Sequence, residues 1–446
     1  MNFNLIFRPE LQAPVCPKNM KKTLKSLFVT ALALVCAFAL TLPLAAENAP
    51  NSSEPTAAQP TATQPASLRT YCVREFGAAG DGAQNDAQFI QKAIDVCSEN
   101  GGGTVRLADG TFLSGSLFLR SNVTLEVARG AVLKASPNPK DYAPIDFCPQ
   151  NQAFKSVSGS HLLIALEVKN VRVTGGGTID GSARAFVPQP PARGMWPKPE
   201  LPWRPGQMLF FCECDGVRVD DIFLTQSPFW TCFLHGCTNC ELHHIRIQNE
   251  LTIWNSDGID VDCCQHVRIH DCEINTGDDC ITLRANSKPL KTPRPCEDVE
   301  VWDCRLKTAC QGVRVGVGDG LIRNCTLRNL TIYETNVGLN FHSSYHPDSP
   351  GTNIENILFK DISLDVQIPL QITYGYASAD RRIRNITFRN LHGTAVRPAE
   401  IQHSPDHPVG PLLAENVKIL TPDGQPILTS LPATFLETES KTGNQQ

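Results

Sequence analysis

"HVRIHDCEI", residues 266–274, alternates polar and aliphatic side chains, breaks at the polar pair His270-Asp271, and resumes on a small apolar residue. The phrase returns as "GVRVDDIFL" (216–224), "NCELHHIRI" (239–247), "DVEVWDCRL" (298–306), "GLIRNCTL" (320–327), "NIENILF" (353–359) and "RIRNITF" (382–388). Alignment on the apolar residue after the pair gives Ile222, Ile245, Cys272, Cys304, Cys325, Ile357 and Ile386, with spacings of 23, 27, 32, 21, 32 and 29. Strand-period alternation recurring at an irregular interval of this size is the mark of a coiled solenoid. Helical repeats are excluded by the period of two, and leucine-rich repeats by the scarcity of Leu-x-x-Leu-x-Leu. What remains is an all-β fold, a single-stranded right-handed parallel β-helix. Its open end needs a cover, and "DAQFIQKAIDVCS" (86–98) carries Phe89, Ile90, Ala93, Ile94 and Cys97 on one helical stripe, stopped by Asn-Gly-Gly-Gly. We expect it to be the N-terminal capping helix.

Around this domain, expected over residues 69–430, lie segments of other composition. Residues 1–46 read as a presequence with its true start at Met20: Lys21 and Lys22 precede an uncharged apolar run that ends at Ala45-Ala46. Export to the outside or the periplasm follows, with no membrane association after processing. An uncleaved anchor is the alternative, because the run is long enough to span a bilayer; a lipoprotein through Cys36 is disfavoured by bulky Val35. Residues 47–68 are a Pro/Ala/Ser/Thr-rich linker and residues 431–446 a polar tail, both expected to be disordered. The formal charge is −5; removing five basic and one acidic residue with the presequence leaves 35 basic and 44 acidic, a net of −9. That balance argues against nucleic-acid partners, which need a basic field.

Eighteen cysteines in an exported chain suggest disulfides. However, Cys272, Cys304 and Cys325 occupy the slot that Ile fills elsewhere, and so are expected to form one inward stack of small apolar side chains. "CTNCELHH" (237–244) looks like half of a zinc site, but it also overlays the strand phrase, with Cys240 and Leu242 inward and His243 outward. No metal and no cofactor is expected. The sequons at Asn324, Asn329 and Asn385 also follow from the phrase.

Two departures from strand composition remain. "NTGDDCITL" (275–283) places Asp278 and Asp279 side by side, and "WNSDGIDVD" (254–262) places Asp257 twenty-one residues earlier, about one coil. One coil of separation stacks residues roughly 5 Å apart. Gly258 and Gly277 would permit a bulge that turns both members of the Asp pair outward. Crowded carboxyl groups raise at least one pKa, giving an acid beside ionised bases, the combination that acetal cleavage requires. An acidic turn or a calcium site is the other reading of that spacing.

The stretch "NSDGIDVDCCQHVRIHDCEINTGDDCITL" resembles the double aspartate signature of glycoside hydrolase family 28, the polygalacturonases and their relatives. "REFGAAGDGAQNDAQFIQKAIDVCSENGGGTVRLADGTFLSGSLFLRSNVTLEVARGAVLKAS" is similar to that family's N-terminal region. The resemblance runs over roughly residues 70–400 and implies a pectin-lyase-like solenoid that hydrolyses pectic polysaccharide with inversion. It implies Asp278 as general acid, Asp257 and Asp279 as the groups holding and deprotonating water, and Asn255 as the first-motif Asn, with Ser256 for Thr. Asp260 and Asp262 fall outside these acids and read as turn or strand-surface residues. Gln311 stands where the family carries the His of Gly-His-Gly, and Asn340 and His342 stand for the Arg and Lys of Arg-Ile-Lys. Asn makes no charged two-point clamp, so a less anionic sugar is expected beside the scissile bond, as in branched or rhamnose-containing pectin. His342 or His346 could partly compensate for the missing His. Arg284, Arg314, Tyr374 and Tyr376 complete the substrate-binding candidates, each Arg equally able to pair with the acids. Trp254 and "WPKPELPWRPG" (196–206) offer sugar-stacking faces or a lid. A monomer is expected. A lyase on the same architecture and a non-catalytic glycan-binding solenoid are the rival readings.

Overall fold

The computed structural model describes residues 69–426, apart from 145–146, 148–149, 152–158, 189–200 and 202. The presequence, the linker, the tail and the first part of "WPKPELPWRPG" lie outside the described residues. Among the described residues no helix is long and apolar enough to cross a membrane.

Alternation becomes a wound sheet because each strand pairs in parallel with the strand one coil away. Ile222 pairs with Ile245, Ile247 with Ile274, Ile274 with Leu306, and Ile357 with Ile386. The strands wind into one continuous parallel β-helix, right-handed as parallel crossovers are. The polar pairs of the repeat phrase mark its corners. Asp221, His244, Asp271 and Asp303 all have φ between 46° and 55°, the left-handed region that Asn, Asp and His tolerate best. Their side chains bond along the axis in places, Asn390 Nδ2 donating to Asp361 Oδ1 at 2.7 Å. At another corner Asn356 donates to Asn324 and Asn385 to Asn356, both at 3.1 Å.

Those two corners correct the repeat alignment. Cys304 pairs with Leu330, not Cys325, whereas Cys325 pairs with Ile357. Each coil carries the phrase twice, since both corners place a left-handed polar residue before an inward one. The short interval of 21 stepped from one corner to the other; the same-corner interval from Cys304 to Leu330 is 26. All three cysteines are buried as expected, but Cys325 belongs to a different stack. The fifteen described cysteines are free thiols.

The predicted helix is present as α1, Ala87–Glu99. Ile90, Ala93, Ile94 and Cys97 are buried in the main core, and the helix lies against the strands Gly103–Leu107, Leu117–Phe118 and Val123–Val127 of the first coils.

One sheet of the coil positions the site. Its strands include Leu163–Leu166, Leu209–Cys212, Cys232–His235, Ile259–Asp262, Ile281–Ala285 and Gln311–Gly318, continuing into Leu321–Ser344 and Asn353–Gly375. Inward, Cys232, Ile259, Ile281, Val313 and Leu339 stack in register. Outward, one position on, the column reads Phe118, Ile164, Phe210, Phe233, Asp260, Thr282, Arg314, Asn340, Gln371 and Glu400. It changes from apolar to polar between Phe233 and Asp260.

Candidate active site

Asp257 precedes the Ile259–Asp262 strand, and Asp278 and Asp279 lie between the strands Glu273–Thr276 and Ile281–Ala285. Ile259 pairs with Ile281, and the Gly258 N–H donates to the Asp279 carbonyl at 2.8 Å. Asp257 is therefore level with Asp279, twenty-two residues on, and Asp278 is level with Ser256. The acid pair sits at a bend, not at a bulge; the register shift on this sheet lies between Leu283 and Ala285. The neighbouring glycines serve close approach. A Cβ on Gly277 would stand 2.2 Å from the Ile253 carbonyl oxygen, and one on Gly258 2.4 Å from that of Cys280.

The bend is held by its backbone. Thr276 Oγ1 donates to the Asp278 carbonyl at 2.7 Å, and Thr308 Oγ1, from the next coil, donates to the same oxygen. Asp278 is half-buried, and its Oδ2 accepts the Asn255 N–H at 2.9 Å. Asn255, at φ 56°, is fixed in turn by Arg204 Nη2, which donates to its Oδ1 at 3.0 Å. Asp257 and Asp279 are buried. Arg314 bridges them, with Nη1 at 2.8 Å from Asp279 Oδ2 and Nη2 at 3.9 Å from Asp257 Oδ2. The Gln311 N–H reaches Asp279 Oδ1 at 3.3 Å.

Burial, then the neighbouring Asp260, Asp278 and Asp279, pushes the Asp257 carboxyl well above the usual carboxylate range, with Arg314 opposing. Asp279 is raised to about 6 by burial against the pull of Arg314. Ligand-type atoms of Asp278, Asp279 and Cys310 lie within 4.8 Å of one another, close enough to touch one cation. The adjacent Arg314 guanidinium makes that a poor cation site, because it already supplies positive charge there.

Several expectations need correction. Asp260 and Asp262 are not surface residues: both are buried and face Arg284, whose Nη1 is 3.8 Å from Asp260 and Nε 3.4 Å from Asp262. Burial raises Asp260 to about 7, with Arg284 and Arg314 opposing. Arg284 also lies over the Trp230 ring, 4.4 Å from its centroid, so of its two readings the structural pairing holds. Tyr374 points inward and is 0 % exposed; its hydroxyl donates to the Pro408 carbonyl at 2.7 Å and accepts the Ile383 N–H at 3.0 Å. It follows Thr373, which pairs with His342, and strand alternation turns the next side chain into the core. Tyr376 is exposed.

His342 does not supply a cation. The Ser344 carbonyl can only accept, so Nε2 carries the proton at 2.9 Å, while Nδ1 accepts from Thr373 Oγ1 at 2.6 Å. Burial and Arg314 lower its pKa to about 4. Asn340 donates to Gln371 Oε1 at 2.7 Å. Trp254 packs under Arg204, 5.3 Å from its ring, in an apolar cluster with Trp203 and Phe186.

Sequence reasoning missed Arg204, Cys310 and Tyr345. Arg204 comes from a loop fifty-one residues before Asn255, and no periodic signal points to it. Cys310 lies one coil beyond Asp278, and the one-coil argument applied again would have found it. The Tyr345 ring stacks on His342 and lies 5.5 Å from the Arg314 guanidinium.

The family model described as glycosyl hydrolases family 28 matches residues 112–425. The chain is similar to polygalacturonase QRT2 of Arabidopsis thaliana, 24% identical over 385 residues, covering 78% of this chain and 77% of that protein. It is likewise similar to polygalacturonase-2 of Solanum lycopersicum, 23% identical over 379 residues, covering 79% and 76%. Among solved structures, the hyperthermoactive exopolygalacturonase from Thermotoga maritima superposes with a TM-score of 0.67 at 24% identity, covering 79% of this chain and 87% of that one. The endo-xylogalacturonan hydrolase from Aspergillus tubingensis gives 0.61 at 16% identity, covering 80% and 94%. These structures share the fold.

Proposed function

The chain belongs to the glycosyl hydrolases of family 28, a polygalacturonase-like glycosidase, and we propose that it cleaves glycosidic bonds in pectic polysaccharide with inversion. Asp278 gives its proton to the leaving oxygen as the bond from the anomeric carbon breaks. Asp257 and Asp279 hold a water on the opposite side and take its proton as the new carbon–oxygen bond forms. The observation carrying this reading is the gathering of three carboxyl groups from adjacent coils, Asp257 and Asp279 bridged by the Arg314 guanidinium and Asp278 half-buried beside them. Export through the basic and apolar run of residues 20–46 belongs to the same proposal.

The sugar beside the scissile bond is less anionic than galacturonate, as in branched or rhamnose-containing pectin. Supporting this, the coil after Arg314 offers Asn340 and a neutral His342, followed by Gln371 and Thr373. Asn255, Gln311, Asn340 and His342 are the contacts proposed for substrate, with Tyr376 at the exposed rim.

The test is release of reducing ends by the purified protein from polygalacturonate, xylogalacturonan and rhamnogalacturonan fragments, with NMR of the first-formed anomer. Faster cleavage of the branched or rhamnose-containing polymer, with an inverted anomer, is expected. Preference for plain polygalacturonate removes the substrate reading, and an unsaturated, UV-absorbing product removes hydrolysis altogether.

A further inference from the structure

Asp257 and Asp279, buried side by side, tend to hold their protons, yet the proposed chemistry requires both ionised around a water. The charge that offsets this crowding must come from a neighbour, and the coil register limits which neighbours can reach. Gln311 lends Asp279 a backbone N–H but no charge. Arg284 faces Asp260 and Asp262. His342 has its two ring nitrogens engaged with Ser344 and Thr373. Arg204 donates to Asn255 and the carbonyls of Pro228 and Trp254, and its charge acts on Asp257 and Asp278, whereas the charge in contact with Asp279 is that of Arg314.

We propose that Arg314 is the positioning residue of this reaction centre, its guanidinium clamping the Asp257 and Asp279 carboxylates in their charged form around the attacking water. The inference rests on the functional reading above. Pairing of Thr282 with Arg314, and of Arg314 with Asn340, sets the residue on the outward column directly beyond the acids. There Nη1 meets Asp279 at 2.8 Å while Nη2 faces Asp257 at 3.9 Å. A planar fork presents donors to two carboxylates in fixed directions, a preorganisation that a rotating ammonium on a flexible stem lacks. Arg314 is itself buried, 8 % exposed, with the Tyr345 ring beside it. The charged and titratable groups facing it are Asp257, Asp260, Asp279, Cys310, Tyr345 and His342, so its removal leaves a predominantly acidic pocket.

The test uses the full chain with Arg314→Gln and Arg314→Lys, following kcat and KM against pH on the pectic fragment that the wild type cleaves. Expected for Arg314→Gln is a kcat at least 100-fold lower, a KM within about threefold, and an acid limb moved upward by a pH unit or more. Arg314→Lys keeps the limb near its place but loses tenfold or more in kcat, since one point of the clamp is gone. Millimolar methylguanidinium should restore part of the Arg314→Gln activity. An unmoved acid limb in folded Arg314→Gln overturns the proposal, and so does undiminished kcat in Arg314→Lys if the glutamine variant does not fold. An inactive wild type is the failure of the functional reading instead. The clamp is then read by melting temperature against pH, where Arg314→Gln, or Arg314→Met in its place, must fall more steeply than wild type from pH 4 to 7. Parallel curves overturn it.

Discussion

Two adjoining runs of one outward column, Ile164 to Phe233 and Asp260 to Asn340, occupy the same backbone slots and are both buried, yet they do opposite things. Toward the N-terminus, Ile164, Phe210 and Phe233 are at most 5 % exposed, with Phe147 edge-on to Phe118 and Phe210 and the His161 ring stacked on Phe210 at 4.3 Å. Toward the C-terminus, Asp260, Thr282, Arg314 and Asn340 are at most 8 % exposed. Here Asp257 Oδ1, both Asp260 oxygens, Thr282 Oγ1 and Asn340 Oδ1 have no hydrogen-bond partner among the described residues. The first half is a second apolar core outside the coil, sealed by chain lying over it. The second is a bed of buried polar atoms, several of them without a protein partner, and such a bed is where electrostatic preorganisation is found. Burial alone does not separate core from site; the chemistry of the buried atoms does. The acids stand at the junction, where Trp230 precedes the coil of Asp257.

The largest effect expected on the polar half is that of Asp278→Asn, which should lower kcat on pectic fragments by on the order of 10³–10⁴-fold, with a melting temperature close to wild type. Reducing-end release and a thermal melt check both, and near-normal turnover would remove Asp278 from the chemistry. On the apolar half, Phe210→Ala should cost about 3–4 kcal/mol in urea unfolding while KM at a permissive temperature stays within twofold. If KM instead rises sharply, the aromatic column is substrate surface and the contrast collapses.

Asp260→Asn sharpens the comparison through pH. Its folded value of about 7 lies above the ordinary aspartate value of 3.8, so the folded state keeps a proton that the unfolded chain has released between these values. That contribution is whole below about pH 4 and lost as pH rises through about 7; Asp279, raised to about 6, acts with the same sign. Asn carries no such dependence, so the variant should gain on the order of 2 kcal/mol over wild type at pH 8 relative to pH 4. Denaturant midpoints at the two pH values measure it, and equal differences would contradict the sign. The smallest effect is that of Tyr374→Phe, which removes a buried hydroxyl's two hydrogen bonds and should cost about 1–2 kcal/mol with unchanged KM. A raised KM would return Tyr374 to the substrate.

The coil and the acid cluster were legible because both depend on period. Alternation of two identifies strands wherever it occurs, and a one-coil interval brings Asp257 to the Asp278–Asp279 pair whether the match is counted as twenty-one residues or twenty-two. Finer register was not legible. The corner phrase occurs twice per coil, so Cys325 could be exchanged for Leu330 without disturbing the pattern. Side-chain direction at a bend escapes alternation altogether, which is why a bulge was expected where the chain turns. Tyr374 shows the reverse failure: aromatic residues suit sugar faces and cores alike, and only its one-residue offset from Thr373 sends it inward.

Local alternation and spacing were enough to establish that this chain is a stacked coil with three acids gathered from adjacent turns, since both are properties of the chain that stacking merely repeats. The packing of coil on coil decided which cation Asp257 and Asp279 share and that Asp260 and Arg284 face one another. It alone decided that His342 is neutral. Those outcomes depend on distances of a few ångströms between residues of different coils and on how much water is excluded between them, and neither quantity is written in any single stretch of the chain.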